Sequence, residues 1–223
     1  MKRSHFIAPR LGGLAEKLAL RIRTQIYHKT IKYIKFTPES QVLDLGVTSD
    51  NSLDSNFFES LYPYPEKITA VGLEDASFLQ KTYPGLQFIR SDILEMPFVD
   101  DGYKFSFCSA VIEHVGSRDQ QAKLIKEALR VSECLILTTP NRWYPVEFHT
   151  LTPFIHWFHP RIFRFYLKIT GRKFFAEEQN LNLLTEAELL KIIQDLGFSC
   201  KKCHVKLFGM ISNLVFVIEK LDI

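Results

Sequence analysis

The chain has 223 residues, 46% hydrophobic and 24% charged, with a net charge of +3. This is the composition of one globular domain able to bury roughly 70% of its unfolded surface. It excludes a disordered or fibrous chain, and so small a charge does not imply nucleic acid.

No run of about 18 apolar residues is present to cross a bilayer. Met1 to Arg10 lacks the apolar stretch of a secretory signal, so the expected location is cytoplasmic. Four cysteines, Cys108, Cys134, Cys200 and Cys203, are too few and too unevenly spaced for a disulfide framework.

From Leu14 to Ile34, apolar residues (Leu18, Ile22, Ile26, Tyr27) recur at helical spacing, with Lys17, Arg21, Arg23, Lys29 and Lys32 between them. This predicts basic helices within 1–37, stopped by Thr37-Pro38. A core follows over 38–140. Gln41 to Gly46 reads as a buried strand, Ile68 to Leu73 as a second and Leu86 to Arg90 as a third. A short helix over Ala76 to Tyr83 lies between the last two. Phe105 to Val111 and Cys134 to Thr138 read as strands four and five around a helix from Arg118 to Arg130, whose inner side is Ala122, Leu124, Ile125, Ala128 and Leu129. The alternation of strand and helix predicts a parallel sheet. Residues 141–180 form an aromatic and basic insertion, read as a cap. In 181–223 Thr185 and Glu188 make a capping box for a helix that Gly197 ends, and Ser199 to Phe208 and Leu214 to Glu219 read as an antiparallel hairpin. The whole is read as one domain without internal repeats.

Ligands of open parallel sheets bind beyond the carboxyl ends of the strands. Polar residues collect there: Asp44 and Gly46 after strand one, Glu74 after strand two, Asp92 after strand three, and Ser109, Glu113 and His114 after strand four. A glycine lets backbone approach a ligand, and an acid ending strand two accepts hydrogen bonds from a ribose. The pattern describes a nucleoside site and leaves dinucleotides, nucleotides and adenosyl cofactors open.

VLDLG (42–46), AVGLED (70–75), SDILEMPF (91–98) and FSFCSAVIEHV (105–115) together resemble class I S-adenosylmethionine-dependent methyltransferases of the small-molecule, domain 11-like type, over about residues 40–140. The resemblance implies a Rossmann-like fold with a mostly parallel seven-stranded sheet and an antiparallel C-terminal strand. It implies S-adenosylmethionine as cofactor, with Gly46 near its methionine part, Glu74 on its ribose, Asp92 and Ile93 at its adenine, and Ser109 and Ala110 lining the transfer site. Asp44 and Thr48 complete the expected cofactor set. The glycine loop departs from the family, with Thr48 and Asp50 where two further glycines are usual. Asp50 is expected to face the cofactor's ammonium or solvent.

Transfer of a methyl group to a hydroxyl needs alignment and one base. His114 is the expected base. Asn141, Arg142, Trp143 and His149 are the expected acceptor residues. The acceptor is read as a small or lipid-linked molecule, methylated at oxygen. Two other classes stay open: a noncatalytic binding protein on this fold, and a nicotinamide-dependent oxidoreductase. No metal is expected, since His149, His156 and His159 fit no familiar zinc spacing. Cys200-Lys201-Lys202-Cys203-His204 matches a haem-attachment pattern but falls in an expected strand. The basic helix and the aromatic cap allow a weak peripheral contact with anionic membrane, with simple solvation as the alternative. No nucleic acid and no obligate protein partner are expected.

Overall fold

The computed structural model describes residues 13–50 and 55–220. Met1 to Arg10 and Asn51 to Asp54 of the variant loop lie outside them.

Helix α1 (Gly13–Ile31) is followed by β1 (Val42–Leu45), α2 (Phe58–Leu61), β2 (Ile68–Gly72), α3 (Phe78–Thr82), β3 (Gln87–Arg90), β4 (Phe105–Ser109), α4 (Arg118–Val131) and β5 (Cys134–Pro140). The sheet runs β3-β2-β1-β4-β5 in parallel pairs. β10 (Met210–Glu219) then joins β5 antiparallel and carries β8 (Ser199–Lys202) beyond it. Seven strands follow the expected path. The expected hairpin differs in one respect: its first arm divides at Cys203-His204, so that β9 (Val205–Leu207) pairs separately with β10 and becomes an eighth strand.

The alternation of side chains sorts the sheet into two buried faces. Val42, Ile68, Phe105, Phe107, Val215 and Val217 pack under α1, α2 and α3. Leu43, Leu45, Val71, Leu135, Leu137 and Phe216 pack under α4 and the C-terminal helix α6 (Glu186–Asp195). α1 ends three residues before Ile34 because its last turn tightens: Tyr33 N–H donates to the Thr30 carbonyl and Ile34 N–H to that of Ile31. α2 has only one turn, between Asn56 at φ +49° and Pro63. Aromatic stacking holds it, with Phe58 4.7 Å from Phe107 and 5.3 Å from Tyr62. On α4 the sequence placed Ala122 inside. The structure buries Gln121 fully and leaves Ala122 half-buried. The Thr185–Glu188 capping box forms as expected.

The insertion contains a two-residue hairpin of β6 (Val146–Glu147) and β7 (Thr152–Pro153), then α5 (Pro160–Ile169). Phe163 and Leu167 of α5 pack on Ala176, Leu181 and Leu183 in a small core separate from the two faces of the sheet. Among the described residues no helix is long and apolar enough to cross a membrane.

Candidate active site

The strand order reverses between β1 and β4, and at that point the two following loops touch. Gly46 has φ +93°, and a Cβ there would lie 2.3 Å from Val111 Cγ2. Only glycine satisfies both conditions. Gly72 is required as well, since a Cβ on it would meet the Val47 carbonyl oxygen at 2.3 Å. Asn56 replaces the missing glycines as a brace for the loop. Its amide accepts from Thr48 N–H at 2.9 Å and donates to the carbonyls of Thr48 and Asp50, both at 3.0 Å.

Glu74, just beyond β2, accepts from Ser49 N–H at 3.0 Å and from its hydroxyl at 2.7 Å, which ties the ends of β1 and β2 together. The Thr48 hydroxyl is buried without a hydrogen-bond partner among the described residues. Asp92 is exposed and accepts from Leu94 N–H at 2.9 Å, while Ile93 beside it is buried. Ser109 and Ala110 sit half-buried where β4 ends, and Ala110 adopts φ +56°. The structure thus gathers Gly46, Thr48, Glu74, Ser109 and Ala110 around the crossover. Asp44 is different. It is buried against Glu59 of α2, and burial raises its carboxyl to about 7; burial and the Asp44 charge raise Glu59 well above the ordinary range. Asp50 is buried, which removes the solvent-facing placement expected for it.

Beyond β4 and β5 lies a second group of polar side chains. The turn Ile112–His114 carries Glu113, fully buried, whose Oε2 accepts from the Thr139 hydroxyl at 2.9 Å. His114 Nδ1 donates to the Asn180 carbonyl at 2.6 Å, and its Nε2 lies 3.1 Å from His149 Nε2. His149 Nδ1 donates to Glu147 Oε1 at 2.7 Å. Glu147 also accepts from His149 N–H, Thr150 N–H and the Thr150 hydroxyl. The turn is fastened from two sides. Gln121 donates to the carbonyls of Ile112 and Asn182, and Asn182 N–H donates to the Glu113 carbonyl at 2.7 Å.

Burial and the adjacent His149 push His114 down to about 3. Burial by itself would lower His149 too, but Glu147 and, farther off, Glu113 outweigh it and raise the imidazole. Burial by itself would raise Glu147, yet His149 and the hydrogen bonds hold it at about 2. Burial raises Glu113.

The sequence made His114 the base and His149 an acceptor residue. The structure places both in one cluster and sets the supporting carboxylate behind His149. Asn141, Arg142 and Trp143 are not part of it. The Asn141 amide donates to the Ile211 carbonyl and its oxygen accepts from Trp143 N–H. Arg142 donates to the carbonyls of His156 and Phe158, pinning the cap, and Trp143 is half exposed beside Trp157. Asn141 is thus tied to β10 and Arg142 to the cap's own backbone. Glu147 and Thr139 were missed, and Glu113 was noted only as a strand-end residue. The signal available was two close acid–histidine pairs, Glu113-His114 and Glu147-Phe148-His149. Of the Cys200–His204 motif, Cys200 to Lys202 lie in β8 as expected, whereas Cys203 and His204 form the break before β9, with Cys203 buried.

No protein-family model and no curated protein matches the sequence. Solved structures do match. A methyltransferase dependent on S-adenosylmethionine from Methanosarcina mazei superposes with TM-score 0.57 at 17% identity, over 86% of this chain and 97% of that one. Magnesium protoporphyrin IX methyltransferase from Synechocystis, with bound SAH, gives 0.59 at 12% identity, over 97% and 91%. A Rhodobacter sphaeroides protein described as a putative Zn-dependent alcohol dehydrogenase gives 0.60 at 11%, over 93% and 98%. Identities this low speak for architecture and not for chemistry. By sheet order, antiparallel C-terminal strand and these superpositions, the chain has the fold of the class I S-adenosylmethionine-dependent methyltransferases.

Proposed function

We propose that the chain is an S-adenosylmethionine-dependent methyltransferase acting on a hydroxyl of a small or lipid-linked acceptor. The observation that carries the reading is the pairing of two sites at the carboxyl ends of the strands. One is the glycine turn after β1, with an acid beyond β2 and a buried Thr48 hydroxyl that has no partner among the described residues; the other is the histidine–carboxylate cluster beyond β4 and β5. A buried hydroxyl left without a partner costs about 1–3 kcal/mol, and a ligand polar group removes that cost.

In this reading Gly46, Thr48, Glu74, Asp92, Ile93, Ser109 and Ala110 hold the cofactor. When bound, it supplies a sulfonium methyl group, which passes to the acceptor oxygen as the carbon–sulfur bond breaks. The cluster of Glu113, His114, Glu147 and His149 is where the acceptor hydroxyl is oriented and its proton removed. Rigid fastening of that turn by Gln121 and Asn182 limits misalignment, to which such transfers are sensitive.

The cap favours the lipid-linked acceptor. Ile162, Phe165 and Ile169 lie on the outer side of α5 and are 50%, 64% and 66% exposed, next to exposed Phe154 and Phe158 and the exposed cations Arg161 and Lys173. An apolar stripe beside cations suits an anionic membrane surface.

Isothermal titration with S-adenosylmethionine, S-adenosylhomocysteine and NAD tests the cofactor, and one site for the first two is expected. Binding of NAD alone would turn the reading to an oxidoreductase. Binding of none of the three by folded protein would leave a noncatalytic module. Co-sedimentation at low salt with vesicles of phosphatidylglycerol and phosphatidylcholine tests the membrane contact, which is discarded if the protein stays in the supernatant.

A further inference from the structure

The two histidines of the cluster face each other through atoms that both lack hydrogen in the neutral ring. A carbonyl oxygen only accepts, so the Asn180 carbonyl makes His114 Nδ1 the N–H donor. Glu147 accepts four hydrogen bonds and is therefore a carboxylate, which makes His149 Nδ1 a donor too. Each neutral ring then presents an Nε2 lone pair, and the two nitrogens are 3.1 Å apart. Glu113 Oε1 lies 3.9 Å from His149 Nε2, in a side chain that is fully buried, and has no hydrogen-bond partner among the described residues. Glu113 Oε1 and the two Nε2 atoms thus converge within 4.8 Å, and a single cation between them, a proton bridging the two rings or a metal ion, satisfies the facing lone pairs.

We propose that Glu113 Oε1, His114 Nε2 and His149 Nε2 bind one divalent first-row transition ion, such as Mn2+, Co2+ or Zn2+. Ordinary metal–imidazole bonds are about 2.1 Å long, and an ion at that distance from both nitrogens would subtend about 95° between them, close to the right angle of adjacent octahedral positions. Glu113 Oε1, 3.9 Å from His149 Nε2, would have to move closer by about 1 Å to be the third ligand, while its Oε2 keeps the hydrogen bond from Thr139. The surroundings are those of a built metal centre: one ligand histidine is backed by a carboxylate and the other by a carbonyl, which fixes the tautomer that leaves Nε2 for the ion. Two imidazoles with one carboxylate suit these borderline ions better than Mg2+ or Ca2+, which take oxygen ligands. Three protein ligands leave coordination positions open. On the methyltransferase reading above, an acceptor oxygen would fill one of them.

This departs from the sequence expectation of no metal, which tested His149 against His156 and His159. Those two are occupied elsewhere: the His156 Nε2 bonds the Tyr144 carbonyl, and His159 caps α5. The partner histidine is instead His114, 35 residues away in sequence.

The test uses the full chain, stripped with chelator and dialysed. Titration calorimetry with Mn2+ and Zn2+, and visible absorption with Co2+, should each give one ion per chain. His149→Ala and Glu113→Gln should weaken binding at least tenfold with the fold retained by circular dichroism. Glu147→Gln, which touches no ion, should weaken it by about tenfold at unchanged stoichiometry. His156→Ala should leave it unaltered. Absence of stoichiometric binding by folded wild-type protein would overturn the site. So would binding that survives both ligand substitutions, or that is lost instead in a Cys200→Ser, Cys203→Ser double variant. Should either ligand variant unfold, the absorption bands of Co2+ bound to wild-type protein still decide between imidazole and thiolate ligands. S-adenosylhomocysteine titrated into the same metal-free protein keeps the two readings separate, because metal binding without cofactor binding would remove the proposed function and leave the metal site standing.

Discussion

In the proposed cofactor site Glu74 offers a charged group and Thr48 a neutral one. Glu74 is preset by two hydrogen bonds from Ser49, whereas the Thr48 hydroxyl makes none with described residues. Hydrogen bonds to a charged acceptor are worth about 1.5–3 kcal/mol and those made by a neutral hydroxyl about 1. Glu74→Ala should therefore weaken S-adenosylhomocysteine binding by more than tenfold and Thr48→Ala by a few-fold in calorimetry; the reverse order would mean that Glu74 only supports the loop. The buried Asp44–Glu59 pair makes a prediction about pH. Both carboxyls have folded-state pKa values above their ordinary values, so the folded protein binds more protons than the unfolded chain across the interval. The stability they confer is complete below the ordinary carboxylate range and is lost as pH rises through about 7. Urea denaturation from pH 5 to 8 should show wild-type stability falling. Glu59→Gln should flatten that slope and gain about 1–3 kcal/mol at pH 8. Equal slopes would contradict the pairing.

At the scale of elements, α4 and α5 illustrate opposite uses of a helix face. α4 turns an uncharged polar residue inward: Gln121 bonds the carbonyls of Ile112 and Asn182 and receives Arg118 at 2.7 Å. Gln121→Ala removes donors from buried carbonyls and should cost about 1–3 kcal/mol in urea unfolding. A loss below 0.5 kcal/mol would show that the turn is held by other contacts. α5 turns apolar residues outward. Phe165→Ser with Ile169→Ser removes little buried surface, so the melting temperature should change by no more than about 2 °C while anionic vesicle binding falls several-fold. A drop of 8 °C or more would mean that this face packs against the chain itself.

For the molecule as a whole, the two-faced sheet implies an order of local stability. β1, β4 and β5 are buried on both faces and paired on both edges, whereas β3 is an edge strand with a largely exposed pattern. The cap rests on its own small core. Amide hydrogen exchange should be slowest in β1, β4 and β5 and at least a hundredfold faster in β3 and α5. Comparable protection in α5 would indicate that the cap is continuous with the main core.

Much of this architecture was legible because its causes are local. Runs such as Val42 to Leu45 and Cys134 to Thr138 are largely apolar on both faces, as a strand covered on both sides requires, and Thr185 and Glu188 close a capping box within one helical turn. Gly46 and Glu74 were legible for the same reason, since a residue at a strand end is placed by its own strand. The early end of α1 and the separate β9 were not, because each depends on hydrogen bonds chosen among near-equal alternatives. The histidine–carboxylate cluster was the least legible. Glu113 and His114 on one turn meet Glu147 and His149 of the insertion only through pairing of β4 with β5, and the tautomer of His114 is set by Asn180 far along the chain, that of His149 by Glu147. Sequence alone determined the sheet, its covered faces and the polar strand ends. Tertiary packing decided which of those polar groups face one another, because burial sets which lone pairs and protons must be satisfied.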